Sequence, residues 1–394
     1  MVWFWWIYGC SIAAAMLLIV VDLARGIGLV PDLTKPQWDA WPKGSHPRVS
    51  VIVPARNEGE GIGACLGSLA AQDYDNLEII AVNDRSTDGT GAVMQQMTAM
   101  TPNLRVVTIA ELPPGWLGKT HAMWTAAKVA RGDWLLFTDG DIMLREDTIR
   151  RAVIFVESAR ADHLVIVPTM ICRKVAERMV VALFFQMAVA GTRIWKFPDP
   201  RSRSGGGAGA FNMVRRSAYE AIGTMEAIRL AVLEDVTLGF RVKAAGFTSY
   251  AAFGRGMVTL QYGRGLLGMI NNVTKNMFAA LQYRWYLALA VVVLIFIVHL
   301  APFAALWLAP RWARLPFAFG LLGILAVYVI LGRVNGISPA YFFLHPLNAL
   351  LMIYAVLKST AVTLWNGGVV WRGTLYPLDE LRRAMTWRHP RNRG

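Results

Sequence analysis

The sequence predicts an α/β domain with a doubly wound, mostly parallel sheet, tied to a membrane by apolar helices. Three observations carry this reading. Short apolar runs recur, each followed by a polar turn and a helical pattern, and strands that alternate with helices build parallel sheets. Acidic residues stand at the ends of those runs, where open α/β sheets bind ligands. Uncharged stretches flank the alternating region, and about twenty such residues span a bilayer.

Residues 1–24 read as a membrane anchor. Val2–Val21 carries no charge, and Trp3, Trp5, Trp6 and Tyr8 form an aromatic belt near its start. Arg25, Lys35, Lys43 and Arg48 all follow it, which directs the start of the chain outward and the remainder to the cytoplasm. No basic residue precedes the segment, unlike a secretory leader. Residues 25–47, with four prolines from Pro31 to Pro47, read as a linker.

Residues 48–285 form the alternating domain. Val49–Pro54 is a first strand, with Ala55-Arg56-Asn57-Glu58 at its carboxyl end and a helical pattern through Ile62, Leu66 and Leu69. Leu77–Val82 is a second strand, followed by Asn83-Asp84-Arg85-Ser86-Thr87-Asp88-Gly89-Thr90 and a helix over about 90–100. Leu104–Ile109 is a third strand, residues 120–130 are helical, and Trp134–Phe137 is a buried strand. Asp139-Gly140-Asp141 follows that strand. An isolated triplet of this kind reads equally as a surface turn. At a strand end, its two carboxylates can share a hard divalent cation, which prefers oxygen ligands.

Composition narrows the function classes. Hydrophobic residues make up 55% of the chain and 15 residues are tryptophan, which membrane segments account for. Cys10, Cys65 and Cys172 lie far apart, against a disulfide framework or a zinc site. The net charge of +14 suits anionic lipid headgroups. Nucleic acid is not an expected partner, because no stacking aromatics interleave with Lys and Arg.

Four stretches in order, Val51-Ile52-Val53-Pro54-Ala55-Arg56-Asn57-Glu58, Asn83–Thr90, Asp139-Gly140-Asp141 and Glu234-Asp235, resemble the family 2 glycosyltransferases of GT-A fold. The resemblance covers about residues 48–285. Leu112-Pro113-Pro114-Gly115-Trp116-Leu117-Gly118-Lys119 is similar to the branch acting on membrane lipids: ceramide glucosyltransferases, carotenoid-acid glycosyltransferases and hopanoid-associated enzymes. It implies an inverting transfer from a nucleotide-sugar, UDP-hexose foremost, to a lipid or isoprenoid acceptor. It places donor contacts at Pro54, Ala55, Arg56, Glu58, Asp84, Lys119, Asp139 and Gly140. It gives Asp141, with Asp139, a bound Mg²⁺ or Mn²⁺, which offsets charge growing on the leaving diphosphate. It makes Asp235, beside Glu234, the general base.

Local chemistry offers a second reading at several positions. Asp84 suits a helix N-cap. Glu58, Glu234 and Asp235 suit the first turn of a helix. Lys119 is either a cation for the diphosphate or a surface lysine. In Arg201–Met213, four glycines in five positions allow close backbone approach. The resemblance sets the acceptor or diphosphate side there, at Gly206 and Gly207, while composition alone allows a flexible linker. Gln282-Tyr283-Arg284-Trp285 resembles the Gln-x-x-Arg-Trp signature of processive and ceramide-type members, with one intervening residue lost. Arg284 and Trp285 then either cap the acceptor side or, for Trp285, anchor the next apolar segment. Cys65, His121 and Met123 read as structural or are left undecided by the sequence.

Residues 179–195 suggest a helix lying on the membrane surface or buried in the domain, since 179–191 is too short to span. Residues 286–364 hold three apolar segments, Tyr286–Leu308, Leu315–Leu331 and Tyr341–Leu364. The third carries His345-Pro346, Asn348 and Lys358 and is either a span or a re-entrant hairpin. The tail, 365–394, includes Arg372, Arg382, Arg383, Arg388, Arg391 and Arg393 and belongs in the cytoplasm. Three crossings would place it outside, so the third segment is expected to turn back. The expected protein is multi-pass in the inner cell membrane, with a cytoplasmic catalytic domain. Two other functions compete: a processive polysaccharide synthase, and a membrane-tethered sugar-nucleotide-binding subunit without catalysis. The first needs more membrane helices and an intact signature; the second leaves the full set of acids without a purpose.

Overall fold

The computed structural model describes residues 2–40, 46–261, 263, 265–371 and 373–385. Lys43, Arg372, Arg388, Arg391 and Arg393 lie outside the described residues. The chain divides into two compact units. One, here the sheet unit, holds residues 30–171 and 194–261; the other, the membrane unit, holds 1–29, 172–193 and 262–382.

The chain opens with helix α1 (Val2–Ile27) and reaches strand β1 (Val49–Ala55), α2 (Ile62–Ala70), β2 (Leu77–Asp84), α3 (Thr90–Thr98) and β3 (Leu104–Ile109). Then come α4 (Gly118–Val129), β4 (Trp134–Phe137), β5 (Met143–Leu144), α5 (Thr148–Ser158), β6 (His163–Val167), β7 (Thr169–Met170) and α6 (Val175–Thr192). β8 (Asn212–Arg215), α7 (Arg216–Ala221), α8 (Glu234–Ala244), β9 (Ser249–Phe253) and β10 (Val258–Leu260) complete the sheet unit. The remainder is α9 (Gly265–Ala280), α10 (Trp285–Ile295), a π-helical turn (Phe296–Leu300), α11 (Ala301–Leu308), α12 (Arg314–Asn335), α13 (His345–Trp365), the hairpin β11 (Gly368–Trp371) and β12 (Thr374–Pro377), and α14 (Leu378–Ala384).

In the sheet unit, seven strands run in the order β3-β2-β1-β4-β8-β6-β9. β1 pairs in parallel with β2 and β4, and β8 runs antiparallel between β4 and β6. The sequence expectation of an α/β, mostly parallel sheet holds, and the apolar alternation shows why. Val49, Val51 and Val53 of β1 face a core shared with α2 and α5, whereas Ile52 faces a second core shared with α4 and α8. A strand covered on both faces buries every side chain, and all seven residues of β1 are buried. The ends of β1, β2 and β4 lie side by side: Ala55 is opposite Asn83, and Ile52 is opposite Phe137. Asn212 starts β8 opposite Phe137, at that same edge.

The stretch read as a linker is docked in part. Phe253 N–H donates to Pro31 O at 2.7 Å, and Leu33 N–H donates to Phe253 O at 2.8 Å, so residues 31–33 extend the β9 edge. Leu33 is fully buried, Trp38 packs on Phe155 at 5.2 Å between ring centroids, and Arg151 donates to Leu33 O at 2.8 Å. Local proline content signalled a break in regular structure, while these partners lie far away in sequence.

Among the described residues, five helical stretches have the length and composition to cross a bilayer: Val2–Ile27, Val175–Lys196, Trp285–Leu308, Arg311–Asn335 and Pro339–Trp365. α6 is longer than the apolar window in the sequence, and Met179, Ala182, Leu183, Phe185 and Val189 are buried along it. α1 and α12 run alongside one another in close contact. A Cβ added at Gly320 would lie 2.7 Å from Ile12 Cγ2, and one at Gly323 would lie 2.6 Å from Met16 Cβ. Small residues at helix contacts are how apolar helices approach without a hydrophobic driving force.

α13 starts beside the π-helical turn and α12. Phe342, just before it, stacks near Phe303 at 5.9 Å, and His345 meets His299 at 3.1 Å and Tyr328 at 3.0 Å. Further along, Ala349, Met352 and Ala355 cluster with Ile295 and Val291, and Ser359 Oγ accepts from Phe278 N–H at 3.0 Å. The helix therefore descends toward the end at which α10 begins.

Candidate active site

The sheet unit gathers its acids where the strands end. β2 ends on Asp84, which is buried. Its carboxylate is held by its own neighbour: Arg85 Nε donates to Oδ1 at 2.7 Å and Nη2 to Oδ2 at 2.9 Å. Arg85 turns back because its φ is +56°, in the left-handed region. Across the turn, a Cβ at Gly118 would lie 2.6 Å from Asp84 Oδ2, so the start of α4 abuts this carboxylate. Asp84 is thus not the cap of α3; Asp88 bonds the first turn instead, accepting from Thr90 N–H at 3.0 Å. A carboxylate has about four lone-pair sites, so the bidentate pair leaves Asp84 acceptor capacity for a ligand N–H or O–H.

Lys119, the second residue of α4, is the hub. Its Nζ lies 2.5 Å from Asp139 Oδ1 and 2.5 Å from Glu234 Oε1. Burial works against its charge, yet Asp139, Glu234 and Asp235 together hold its pKa well above the usual lysine value. The surface-lysine reading therefore fails: this ammonium is the counter-ion of an acidic cluster. Glu234, buried at the start of α8, is pushed up to about 7 by burial, with Lys119 opposing and Asp235 and Asp139 adding to the rise. Asp141 is raised to about 6 by desolvation and by the like charges of Asp139 and Glu58. Like-charged carboxylates crowded at one sheet edge are unfavourable by themselves, and perturbed groups of this kind cluster at functional sites.

A small cavity opens onto this cluster, lined by Pro54, Lys119, Met123, Phe137, Thr138, Asp139, Gly209, Asn212, Glu234 and Asp235. Asp235 Oδ1 accepts from Val236 N–H at 2.8 Å, the first-turn bond expected of an acid at a helix start. The glycine-rich run is a tight wall: a Cβ at Gly207 would lie 1.9 Å from Asp235 O, and one at Gly209 would lie 2.6 Å from Asp139 Oδ2. Only glycine permits such approach. The flexible-linker reading gives way at both positions. Gly206 faces away from the acids, with Phe197 the nearest atom to its absent Cβ.

The remaining expected residues divide. Pro54 lines the cavity, and Ala55 is buried at the end of β1. Gly140 sits close to both Ala55 and Ile62, 3.3 Å from each for an added Cβ. Glu58 N–H donates to Thr90 Oγ1 at 2.8 Å, which ties the two acidic turns together. Arg56 Nε is buried without a hydrogen-bond partner among the described residues. Arg284 and Trp285 belong to the membrane unit, where Arg284 Nη1 donates to Tyr286 OH at 2.9 Å and Trp285 is exposed. Gln282 and Tyr283 before them both have positive φ, +55° and +53°. Cys65 is structural: its thiol donates to Asp139 O at 3.6 Å and burial lifts its pKa to about 12. His121 packs between Trp116 and Trp124, 5.3 Å and 6.0 Å between ring centroids. Asn212 and Thr138 were not singled out from sequence; both face the cavity, and only position relative to the Gly-rich run and the acidic triplet pointed to them.

Asp139 and Asp141 are hard oxygen donors one residue apart, suited to Mg²⁺ or Mn²⁺. Among the described residues no three His, Cys, Asp or Glu side chains group as a complete metal cage. Magnesium-type sites use one or two carboxylates, with substrate phosphates and water supplying the rest.

A model described as glycosyl transferase family 2 matches residues 50–223, the stretch from β1 to just beyond α7. The 4,4'-diaponeurosporenoate glycosyltransferase of Staphylococcus aureus (strain bovine RF122 / ET3-1) is 24% identical over 345 residues, covering 85% of this chain and 90% of that protein. Its counterpart from strain USA300 is 23% identical over 349 residues with the same coverage of 85% and 90%. Among solved structures, the mannosyltransferase PcManGT from Pyrobaculum calidifontis, in complex with GDP-Man and Mn2+, has a similar fold: TM-score 0.55, 21% identity, covering 92% of this chain and 99% of that one. The sheet unit has the GT-A fold. Residues 50–223 are thus similar to the family 2 glycosyltransferases in sequence, and the sheet unit is similar to them in fold.

Proposed function

We propose that this protein transfers a hexose from a nucleotide-sugar, UDP-hexose foremost, to the hydroxyl end of a lipid or isoprenoid acceptor at the cytoplasmic face of the inner membrane, with inversion. The observation that carries this reading is the cluster of Asp139, Glu234 and Asp235 around Lys119 at the strand ends. Asp84 accepts from the base or ribose, and Asp139 faces the sugar side. Asp235 takes the proton from the acceptor hydroxyl as that oxygen bonds to the anomeric carbon. The bond from that carbon to the diphosphate breaks, and its electron pair leaves on the phosphate oxygen. Lys119 offsets charge beside the departing group. Asp139 and Asp141 would hold the divalent cation, which when bound neutralises charge on the diphosphate. The descent of α13 back toward the start of α10 supports a re-entrant third segment, which keeps the basic tail cytoplasmic.

The relatives' name adds a second acceptor chemistry, since an "-oate" is a carboxylate. A carboxylate arrives ionised and needs no base. Asp235→Asn in nanodiscs, assayed with Mn²⁺ and the UDP- or GDP-hexose that wild type turns over, separates the two. Loss of transfer of about 10²–10⁴-fold with nucleotide binding retained supports a hydroxyl acceptor and base catalysis. Full transfer by Asp235→Asn overturns the base assignment and favours the carboxylate.

A further inference from the structure

Behind Asp235 lies a chain of three buried polar side chains that the transfer chemistry does not use. His163 starts β6, Ser249 starts β9 directly opposite it, and Asn212 starts β8; all three are essentially without solvent exposure. Ser249 Oγ lies 2.8 Å from His163 Nδ1, and His163 Nε2 lies 2.6 Å from Asn212 Oδ1. Asn212 Nδ2 donates to the backbone carbonyl of Asp235 at 3.1 Å.

The proton positions follow from what each atom can do. A carbonyl can only accept, so the Asn212 NH₂ must face Asp235 O and its oxygen must face His163. Nε2 therefore carries the hydrogen, and Nδ1 accepts from the Ser249 hydroxyl. The chain runs in one direction, Ser249 to His163 to Asn212 to Asp235, with every polar atom used. Burial, against the Asn212 bond, moves the imidazole down to about 4, so it is neutral across the physiological range. Burying three polar side chains is costly unless each bond is made, and a satisfied network of this kind fixes geometry.

The far end of the chain is where geometry matters. α8 begins at Glu234 with no side-chain cap from Leu233, and neighbouring elements make contact with its first turn. Asn212 supplies one of them. The glycine-rich wall supplies another: the absent side chains of Gly207 and Gly239 let backbones meet at Asp235 O and Gly206 O, and His163 Cε1 lies 3.0 Å from where a Gly239 Cβ would sit.

We propose that Asn212, oriented by His163 and Ser249, is a positioning residue that fixes the first turn of α8 and thereby aims the Asp235 carboxylate at the acceptor. This rests on the reading of Asp235 as the base.

Full-length protein in nanodiscs, with Mn²⁺ and the hexose nucleotide that wild type turns over, tests it. Asn212→Leu should lower kcat about 10²-fold, the scale of an ångström-sized misplacement, while affinity for the nucleoside diphosphate stays within about twofold. His163→Leu should fall similarly, and His163→Gln, which keeps a side-chain N–H for Asn212, should recover most of the loss. If Asn212→Leu does not fold, Ser249→Ala removes a single hydroxyl at the far end and should lower kcat several-fold with nucleotide affinity unchanged. Unchanged kcat in the variants that fold overturns the proposal, as does loss of kcat and nucleotide affinity together. Asp235→Asn run in parallel separates the two ideas: an active Asp235→Asn sinks the base assignment, whereas an inactive Asp235→Asn beside an unaffected Asn212→Leu sinks only the positioning role.

Discussion

Two polar clusters, one in each unit, are built in opposite ways. In the membrane unit, His345 bonds to both His299 and Tyr328, and Asn348 donates to Met179 O. Polar side chains in such surroundings are costly, and these satisfy each other. In the sheet unit, carboxylates from β4 and α8 crowd one ammonium, and Asp141 and Glu234 are pushed up to about 6 and about 7. Self-satisfied polar groups hold helices together; crowded like charges are left for something else to neutralise. The contrast sets the acidic cluster of the sheet unit apart without reference to any motif.

Breaking the crowded cluster should have the largest effect. Lys119→Met removes the one cation shared by Asp139 and Glu234. Stranding a buried carboxylate costs about 3–5 kcal/mol, so a large drop in the melting temperature of the sheet unit is expected, together with loss of transfer. A Lys119→Met protein that melts like wild type would place the ion pairs at an exposed surface.

The next effect is pH-dependent. His163 has a folded pKa near 4 against an ordinary value of 6.5. The unfolded chain binds the proton more readily, so the contribution is fully present above pH 6.5 and is lost as pH falls from there through 4. The full loss is about 3 kcal/mol. Acidification should therefore lower the wild-type melting temperature more than that of His163→Gln, and equal slopes would contradict a neutral buried imidazole.

In the membrane unit the sensitive feature is packing. Gly320→Ala forces a methyl to 2.7 Å from Ile12 Cγ2. Overpacking of this kind costs about 1–3 kcal/mol, read as a lower melting temperature in detergent. The smallest effect belongs to the half-exposed Arg193–Asp22 pair at 2.7 Å, where Asp22→Asn should change stability by less than about 1 kcal/mol. A large effect there would erase the contrast between the units.

Sequence patterning was most informative where a strand is covered on both faces. β3 and β4 run over Leu104–Ile109 and Trp134–Phe137, as their apolar runs predict. β2 reaches Asp84 rather than stopping at Val82, because Asn83 and Asp84 continue the ladder beside Thr108 and Ile109. The acids at strand ends were legible because topology fixes where strand ends lie. Contacts between distant side chains were not. His163 and Asn212 are 49 residues apart, and no periodicity announces that they meet. Lys119 shows the same limit: its position in α4 was readable, its two carboxylate partners were not. Residues 31–33 look like linker by proline content yet complete the β9 edge. Apolar length likewise identifies Pro339–Trp365 as long enough to cross, while its contacts with His299 and Tyr328 were not readable from sequence.

The central claim is that the acids at the strand ends carry out the transfer. Asp141→Ala tests it most directly, by the initial rate of sugar transfer to lipid in nanodiscs with saturating donor and Mn²⁺. The account predicts a fall of at least about 10²-fold in a protein that still melts as a folded unit. A wild-type rate from Asp141→Ala would contradict it.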